Sequence, residues 1–384
     1  MPRLKTLADR RSWTDKKVLV RVDFNVPLKN GRVLDDFRLR ATIPTIKYLL
    51  AHGARPILIS HLKRPLGRPN PTFSLRLLVK PLRKLLRCPV AFSPTTTGPA
   101  ALKAAKALPP GQVLLLENIR FLPGEEKNSR PLARALATLG DIYVNEAFSV
   151  SHRAHASVSA ITDFLPTYAG LALEEEVKNI SAILRPASPS VAVLGGAKIS
   201  SKIGLIKNLA RHFDTLLIGG ALANNFIKSA GYSIGRSLID DDQRLPISQY
   251  DFSQINLPLD TMVLTASGRA TSRAIDAVGP REKILDIGPH TIKSFVAKIA
   301  SAKTIVWNGP LGMSEDPRFS RGTRAIARAI LKNRSACALI GGGETVAAFG
   351  RASRPRLFVS TAGGAMLKYL EGKVLPGIKP LLKK

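Results

Sequence analysis

Short runs of β-branched and aliphatic residues alternate with stretches whose apolar positions recur every three or four residues. KVLVRV (17–22) predicts a strand, and the spacing of Leu39, Ile43, Ile46 and Leu50 predicts a helix after it. PILIS (56–60) and then Leu75, Leu78 and Leu82 repeat the pattern; VLLL (113–116) and IYV (142–144) continue it. The alternation restarts at VAVL (191–194) and runs on through TLLI, TIVW, ALI and LFVS. Strand and helix in strict alternation imply βα units on parallel sheets. The expected class is therefore α/β, with two doubly wound, Rossmann-like domains of three αβα layers. LEEEVKNISAIL (173–184) has helical spacing without glycine and ends at RPASPS, as a connecting helix would. The expected division is residues 1–165, a hinge helix over 166–184, and a second domain over 185–370.

Composition supports two cores: 384 residues exceed what one core usually organises, and 45% hydrophobic residues suffice to bury both. Cys88 and Cys337 stand far apart with no CxxC spacing, so neither a disulfide framework nor a thiolate metal site is expected. MPRLKTLADRRSW has no apolar signal core, and no run of eighteen apolar residues occurs; a cytoplasmic protein without a membrane span is expected. The formal charge of +31 attracts polyanions, among them nucleic acids, headgroups and phosphorylated metabolites. No RNP motif, zinc finger or aromatic platform accompanies it, so nucleic acid is not the expected partner.

Several chemistries are excluded by motif. The chain lacks GxxxxGK[ST] and the GxGxxG, HRD and DFG set. GYSIG (231–235) fits the nucleophile-elbow spelling but follows a helical pattern instead of a strand. His152 and His155 lie three apart without a neighbouring carboxylate or thiolate to complete a zinc site.

What remains differs between the halves. In the first, Asp23, Asn25, Arg38, His61, Arg64, Arg120 and Arg153 follow successive strands, where a carboxyl-end crevice would gather them. Arginine forks suit a small acid carrying carboxylate and phosphate. In the second, GGAKISSK (195–202), IGGALANNF (218–226), VWNGPLG (306–312), IGGGETVAAF (340–349) and STAGGAM (360–366) place glycines where strands turn into helices. Such turns let backbone N–H groups approach phosphate. Lys198 and Lys202, spaced i, i+4, are expected to face the same cleft, and Glu344 to meet Mg²⁺ on the phosphates.

The segments RVDFNVPL, DDFRLRATIPTI, SHLKRPLG, LLLENIRFLPGEEKN, SHRAHAS, LGGAKISSKI, DIGP, VWNGPLG, IGGGETVAAF and LEGKVLPGI occur in the order of one known pattern. Over nearly its whole length the chain resembles the phosphoglycerate kinase family. The resemblance implies reversible phosphoryl transfer from ATP to 3-phosphoglycerate, giving ADP and 1,3-bisphosphoglycerate, in line and on hinge closure, by a cytoplasmic monomer. It implies that Asp23, Phe24, Asn25, Arg38, His61, Lys63, Arg64, Arg120 and Arg153 bind the acid. For the nucleotide it implies Lys198, Lys202, Gly219, Gly220, Gly288, Asn308, Glu315, Gly342, Gly343, Glu344 and Thr345, with Glu344 toward Mg²⁺. Arg38 and Lys202 would be catalytic, assisted by the amides of Gly363 and Gly364, and residues 371–384 would return to the first domain. Four positions depart from the pattern. Glu344 and Ser201 stand where aspartate is usual, Lys63 and Ala362 where glycine is usual, and the backbone at the last two is expected to differ locally, since a side chain tolerates positive φ poorly.

Overall fold

The computed structural model describes residues 3–240, 253–350, 352–360 and 362–383. The chain divides into two compact units: unit 1 runs up to Lys178 and includes the residues from Val374 onward, and unit 2 is Asn179–Lys373.

Unit 1 contains β1 (Lys17–Arg21), the small hairpin β2 (Leu28–Lys29) and β3 (Arg32–Val33), α1 (Phe37–Ala51), β4 (Arg55–Ile59) and α2 (Val79–Leu86). It continues with β5 (Val90–Ser93), α3 (Gly98–Lys106), β6 (Val113–Leu116), α4 (Arg130–Ala137), β7 (Ile142–Asn145) and β8 (Thr167–Ala169). Six strands form one sheet in the order β5-β6-β4-β1-β7-β8, all pairs parallel. Because successive strand residues face opposite sides, β1 sends Val18 and Val20 into one core with α1 and α2, and Leu19 into another with α3 and α4. A sheet covered on both faces explains why these strands read as continuous apolar runs.

Helix α5 (Leu171–Ile183) begins in unit 1 and ends in unit 2. Unit 2 follows with β9 (Ser190–Leu194), α6 (Ile203–Ala210), β10 (Thr215–Ile218), α7 (Gly220–Ser229), β11 (Ile255–Asn256), β12 (Asp260–Leu264), β13 (Ala270–Ala274) and β14 (Lys283–Ile287). Then come α8 (Pro289–Ser301), β15 (Thr304–Asn308), α9 (Arg321–Lys332), β16 (Cys337–Gly341), α10 (Gly343–Ala347), β17 (Leu357–Val359) and α11 (Gly363–Leu370). Its parallel sheet has the order β11-β10-β9-β15-β16-β17. The sequence pattern did not reveal a second, antiparallel sheet, β13-β12-β14. Its strand ATSRA alternates between partly buried and exposed positions and carries no apolar run.

The positive charge is unevenly spread: no Asp or Glu occurs between Asp36 and Glu117. This stretch includes the edge strand β5, where Arg83 donates from Nη2 to Val90 O at 2.8 Å and Arg76 lies over the Phe92 ring at 4.5 Å. Cations that occupy an edge discourage pairing with a foreign strand. Among the described residues no helix is long and apolar enough to cross a membrane.

Candidate active site

In unit 1 the predicted cations do gather at the carboxyl ends of the strands. Asp23, just past β1, accepts Arg38 Nη1–H at 2.6 Å and the Ser149 hydroxyl proton, and its Oδ1 accepts Asn25 N–H at 3.0 Å. Asn25 Oδ1 in turn accepts Lys63 N–H at 2.9 Å, and Lys63 O accepts Arg120 Nη1–H at 2.8 Å. One polar chain thus joins the loops after β1, β4 and β6. Burial pushes the Arg120 guanidinium down to about 10 despite Glu126 beside it. At the centre is His61, 2% exposed. Burial first, then the charges of Arg21, Arg120, Arg38 and Arg153, hold its ring well below the ordinary histidine pKa. Arg153 donates from Nε to His152 Nε2 at 3.2 Å, and Arg64 is exposed on the loop after His61.

Two expectations need correction here. The Phe24 ring is wholly buried in the core, and its N–H donates to Ser60 Oγ at 2.9 Å, so no face of it is open to a substrate. Lys63 keeps the left-handed backbone of the glycine it replaces, at φ 57°, whereas Ala362 lies at φ −121° and needs no glycine. His155 Nδ1 lies 3.7 Å from the Glu125 carboxylate. No group of metal-ligating side chains occurs among the described residues.

Arg21, Glu125 and Ser157 were missed. Arg21 closes the strand KVLVR with no exposed surface, and an arginine inside an apolar strand must be paired somewhere. That was the available signal; its partner, 104 positions away at Glu125, was not legible.

In unit 2, Lys202 is a buried cation. Its ammonium donates to Gly195 O and sits 3.5 Å from Asn308 O, and desolvation lowers its pKa to about 8 although Glu344 opposes the shift. Residues 195–202 form turns, and α6 starts only at Ile203, so the i, i+4 argument for Lys198 and Lys202 fails: Lys198 is exposed while Lys202 is 8% exposed.

Many of the predicted glycine amides are already occupied. Gly195, Gly196, Gly219, Gly220 and Gly309 donate to Asn308 O, Pro310 O, Leu194 O, Leu311 O and Thr345 Oγ1. Their role is close approach. A Cβ on Gly220, at φ 63°, would lie 2.8 Å from Pro310 O, and one on Gly309, at φ 92°, would lie 2.7 Å from Lys202 Nζ. Gly288 is likewise committed: its N–H donates to Asp260 O, and a Cβ there would strike the Asp260 carboxylate that caps α8. Asn308 Nδ2 donates to Gly341 O at 2.8 Å, tying the ends of β15 and β16 together. The amides of the first turns of α10 and α11 have no intrahelical acceptor. These include Gly343, Glu344, Gly363 and Gly364, and a Cβ on Gly363 would lie 3.9 Å from Gly342 Cα. Thr361 of this segment lies outside the described residues.

Beside Lys202 opens a pocket of about 270 Å³, lined by Gly196, Gly220, Leu285, Met313, Glu315 and Glu344 among others. Its floor includes Asp286, whose carboxyl burial raises to about 6, against donation from the amides of Gly322, Ile287 and Arg321. Apolar walls with an exposed glutamate at the rim suit a flat ring with a polar appendage.

The comparisons agree with this architecture. The family model for Phosphoglycerate kinase matches residues 8–373. Phosphoglycerate kinase from Roseiflexus castenholzii is 46% identical over 393 residues, covering 98% of both chains, and that from Moorella thermoacetica is 45% identical, covering 96% of this chain and 97% of its own. Among solved structures, phosphoglycerate kinase from Coxiella burnetii is similar with a TM-score of 0.87 at 39% identity, covering 99% of each chain. That from Pyrococcus horikoshii OT3 gives 0.83 at 28% identity over 98% of each. With its two parallel-sheet units, its cationic crevice and its glycine-walled lysine, this chain belongs to the phosphoglycerate kinase family.

Proposed function

We propose that the chain catalyses reversible phosphoryl transfer between ATP and 3-phosphoglycerate, yielding ADP and 1,3-bisphosphoglycerate. The observation that carries this reading is the convergence of Arg38, Arg120 and Arg153 around His61 in unit 1. Three guanidinium groups and a neutral ring answer a ligand bearing both phosphate and carboxylate. Asp23 and Asn25 hold Arg38 and the Lys63 backbone in place, and Arg64 adds charge at the rim. Phe24 serves by anchoring that loop to the core.

In unit 2 the pocket takes the nucleotide, with Glu315 toward the ribose and Gly219 and Gly220 as its close wall. Gly288 and Asn308 support the pocket's framework. Lys202 and Lys198 face the phosphates, together with Gly342, Gly343, Glu344 and Thr345 at the start of α10. Glu344 is an exposed carboxylate whose charge acts on Lys202, which fits Mg²⁺ held chiefly by phosphates and water and not by a protein cage. Magnesium would neutralise polyphosphate charge there. Transfer is in line, on hinge closure and without a phosphoenzyme, so the chain contributes position and charge: Arg38 and Lys202 on the migrating group, and the Gly363 and Gly364 amides on its oxygens. A monomer in the cytoplasm completes the reading.

The test is ADP formation from ATP and 3-phosphoglycerate in a coupled assay with magnesium. Folded protein without turnover above background would overturn it.

A further inference from the structure

A charge network beneath the unit 1 crevice fixes the chemistry of one ring; the inference rests on that crevice being the acid site. Arg21 and Glu125 are fully buried, with Nη2 and Oε1 3.9 Å apart. Ser157 fills the space between them. Its hydroxyl accepts Arg21 Nε–H at 2.8 Å and donates to Glu125 Oε1 at 2.7 Å, while its N–H donates to Oε2 at 2.9 Å. Tyr143 Oη–H donates to Ser157 O at 2.7 Å and holds that backbone. The guanidinium also donates from Nη1 to Val22 O at 2.6 Å, and its Nη2 lies 3.3 Å from His61 Nδ1.

Arginine stays protonated and has no acceptor to offer. His61 Nδ1 must therefore contribute its lone pair, and the ring proton must reside on Nε2. Nε2 has no hydrogen-bond partner among the described residues. A ring free to choose the other tautomer would turn a lone pair toward an anion. A buried ion pair alone is weak evidence for stability, so this one asks for another purpose.

We propose that Glu125 and Ser157 are positioning residues: they lock Arg21, and Arg21 locks His61 as the Nε2–H tautomer, a neutral donor aimed at the bound acid among cations. The acid would then be gripped by three guanidinium forks and one donor of fixed direction.

The test uses the full chain labelled with ¹⁵N-histidine, with His61→Gln to assign the ring. Long-range ¹H–¹⁵N spectra between pH 6 and 8 should show His61 as the Nε2–H tautomer, and 3-phosphoglycerate should shift that resonance. Glu125→Gln should give mixed tautomers and raise KM for the acid about tenfold, the cost of weakening one charged hydrogen bond, with KM for ATP unchanged. Ser157→Ala should do the same about threefold, and it serves if Glu125→Gln does not fold. An Nδ1–H or imidazolium His61 in the unsubstituted protein overturns the proposal. So does an unaltered spectrum and acid KM in a folded variant whose Tm alone has fallen. If turnover is absent yet the resonance still shifts with 3-phosphoglycerate, the kinase reading fails and the lock stands.

Discussion

Lys202 donates its ammonium to the carbonyl oxygen of Gly195, seven residues earlier, in a nook walled by glycine backbone. Desolvation is the larger influence on it and brings its pKa to about 8, against 10.5 ordinarily. Because the unfolded chain keeps this proton to higher pH, stability rises between pH 8 and 10.5 while the charged form is lost. Activity that needs the charge moves the other way: kcat/KM for ATP should fall above about pH 8. Lys202→Ala should lower kcat roughly a thousandfold with Tm little changed. Unchanged turnover would remove Lys202 from the machinery.

Gly309 leaves room for the same ammonium, since a Cβ there would lie 2.7 Å from Lys202 Nζ. At φ 92°, a methyl there would also lie 2.4 Å from Gly195 O. Gly309→Ala should cost about 3 kcal/mol, from strain and backbone collision together, and raise KM for ATP. Denaturant unfolding and nucleotide kinetics measure the two effects.

Glu146 is buried and protonated at neutral pH. Desolvation raises its pKa from 4.5 to about 8, outweighing donation from Thr45 Oγ1 and Ala172 N–H. The folded state keeps a proton that the unfolded state has lost, so this contribution is complete below pH 4.5 and disappears as pH rises through 8. Glu146→Gln should flatten the decline of Tm between pH 5 and 8, as calorimetry would show. A slope identical to that of the unsubstituted chain would contradict the assignment.

Lys63 holds a glycine conformation with a side chain. Its N–H and C=O already serve Asn25 and Arg120. Relief of φ 57° predicts that Lys63→Gly stabilises unit 1 by about 0.5–1 kcal/mol. Acid KM should change less than about twofold if the backbone carries the role, since a lost rim charge contributes little. A tenfold rise would instead give the ammonium direct contact.

The parallel sheets were legible because strands buried on both faces must be apolar throughout, as VLLL and TIVW are. The β13 strand ATSRA was not, since its partly buried side carries threonine and arginine. The cations past the strand ends were legible for topological reasons. Phe24 misled because it sits between two site residues, and alternation along extended chain turns it inward. The glycines were found, but what each one makes room for was not legible. Composition shows that a Cβ is missing, but not whether the space serves a phosphate or, as at Gly220 and Gly288, a neighbouring loop or the side chain of an adjacent strand. Glu125 could not be read because its partner is distant in sequence.

The residues that complete unit 1 come after all of unit 2. Gly377 donates its N–H to Ser151 O and accepts from Asn145 Nδ2 at 2.9 Å, and Lys5 N–H donates to Leu381 O at 2.7 Å. A ribosome adding about 5–20 residues per second takes roughly 10–40 s to make the intervening unit. During that time unit 1 exists without the residues from Val374 onward, with Asn145 at the end of β7 and Ser151 beyond it still awaiting their partner. Synthesis therefore finishes unit 2 first, and unit 1 closes its core last.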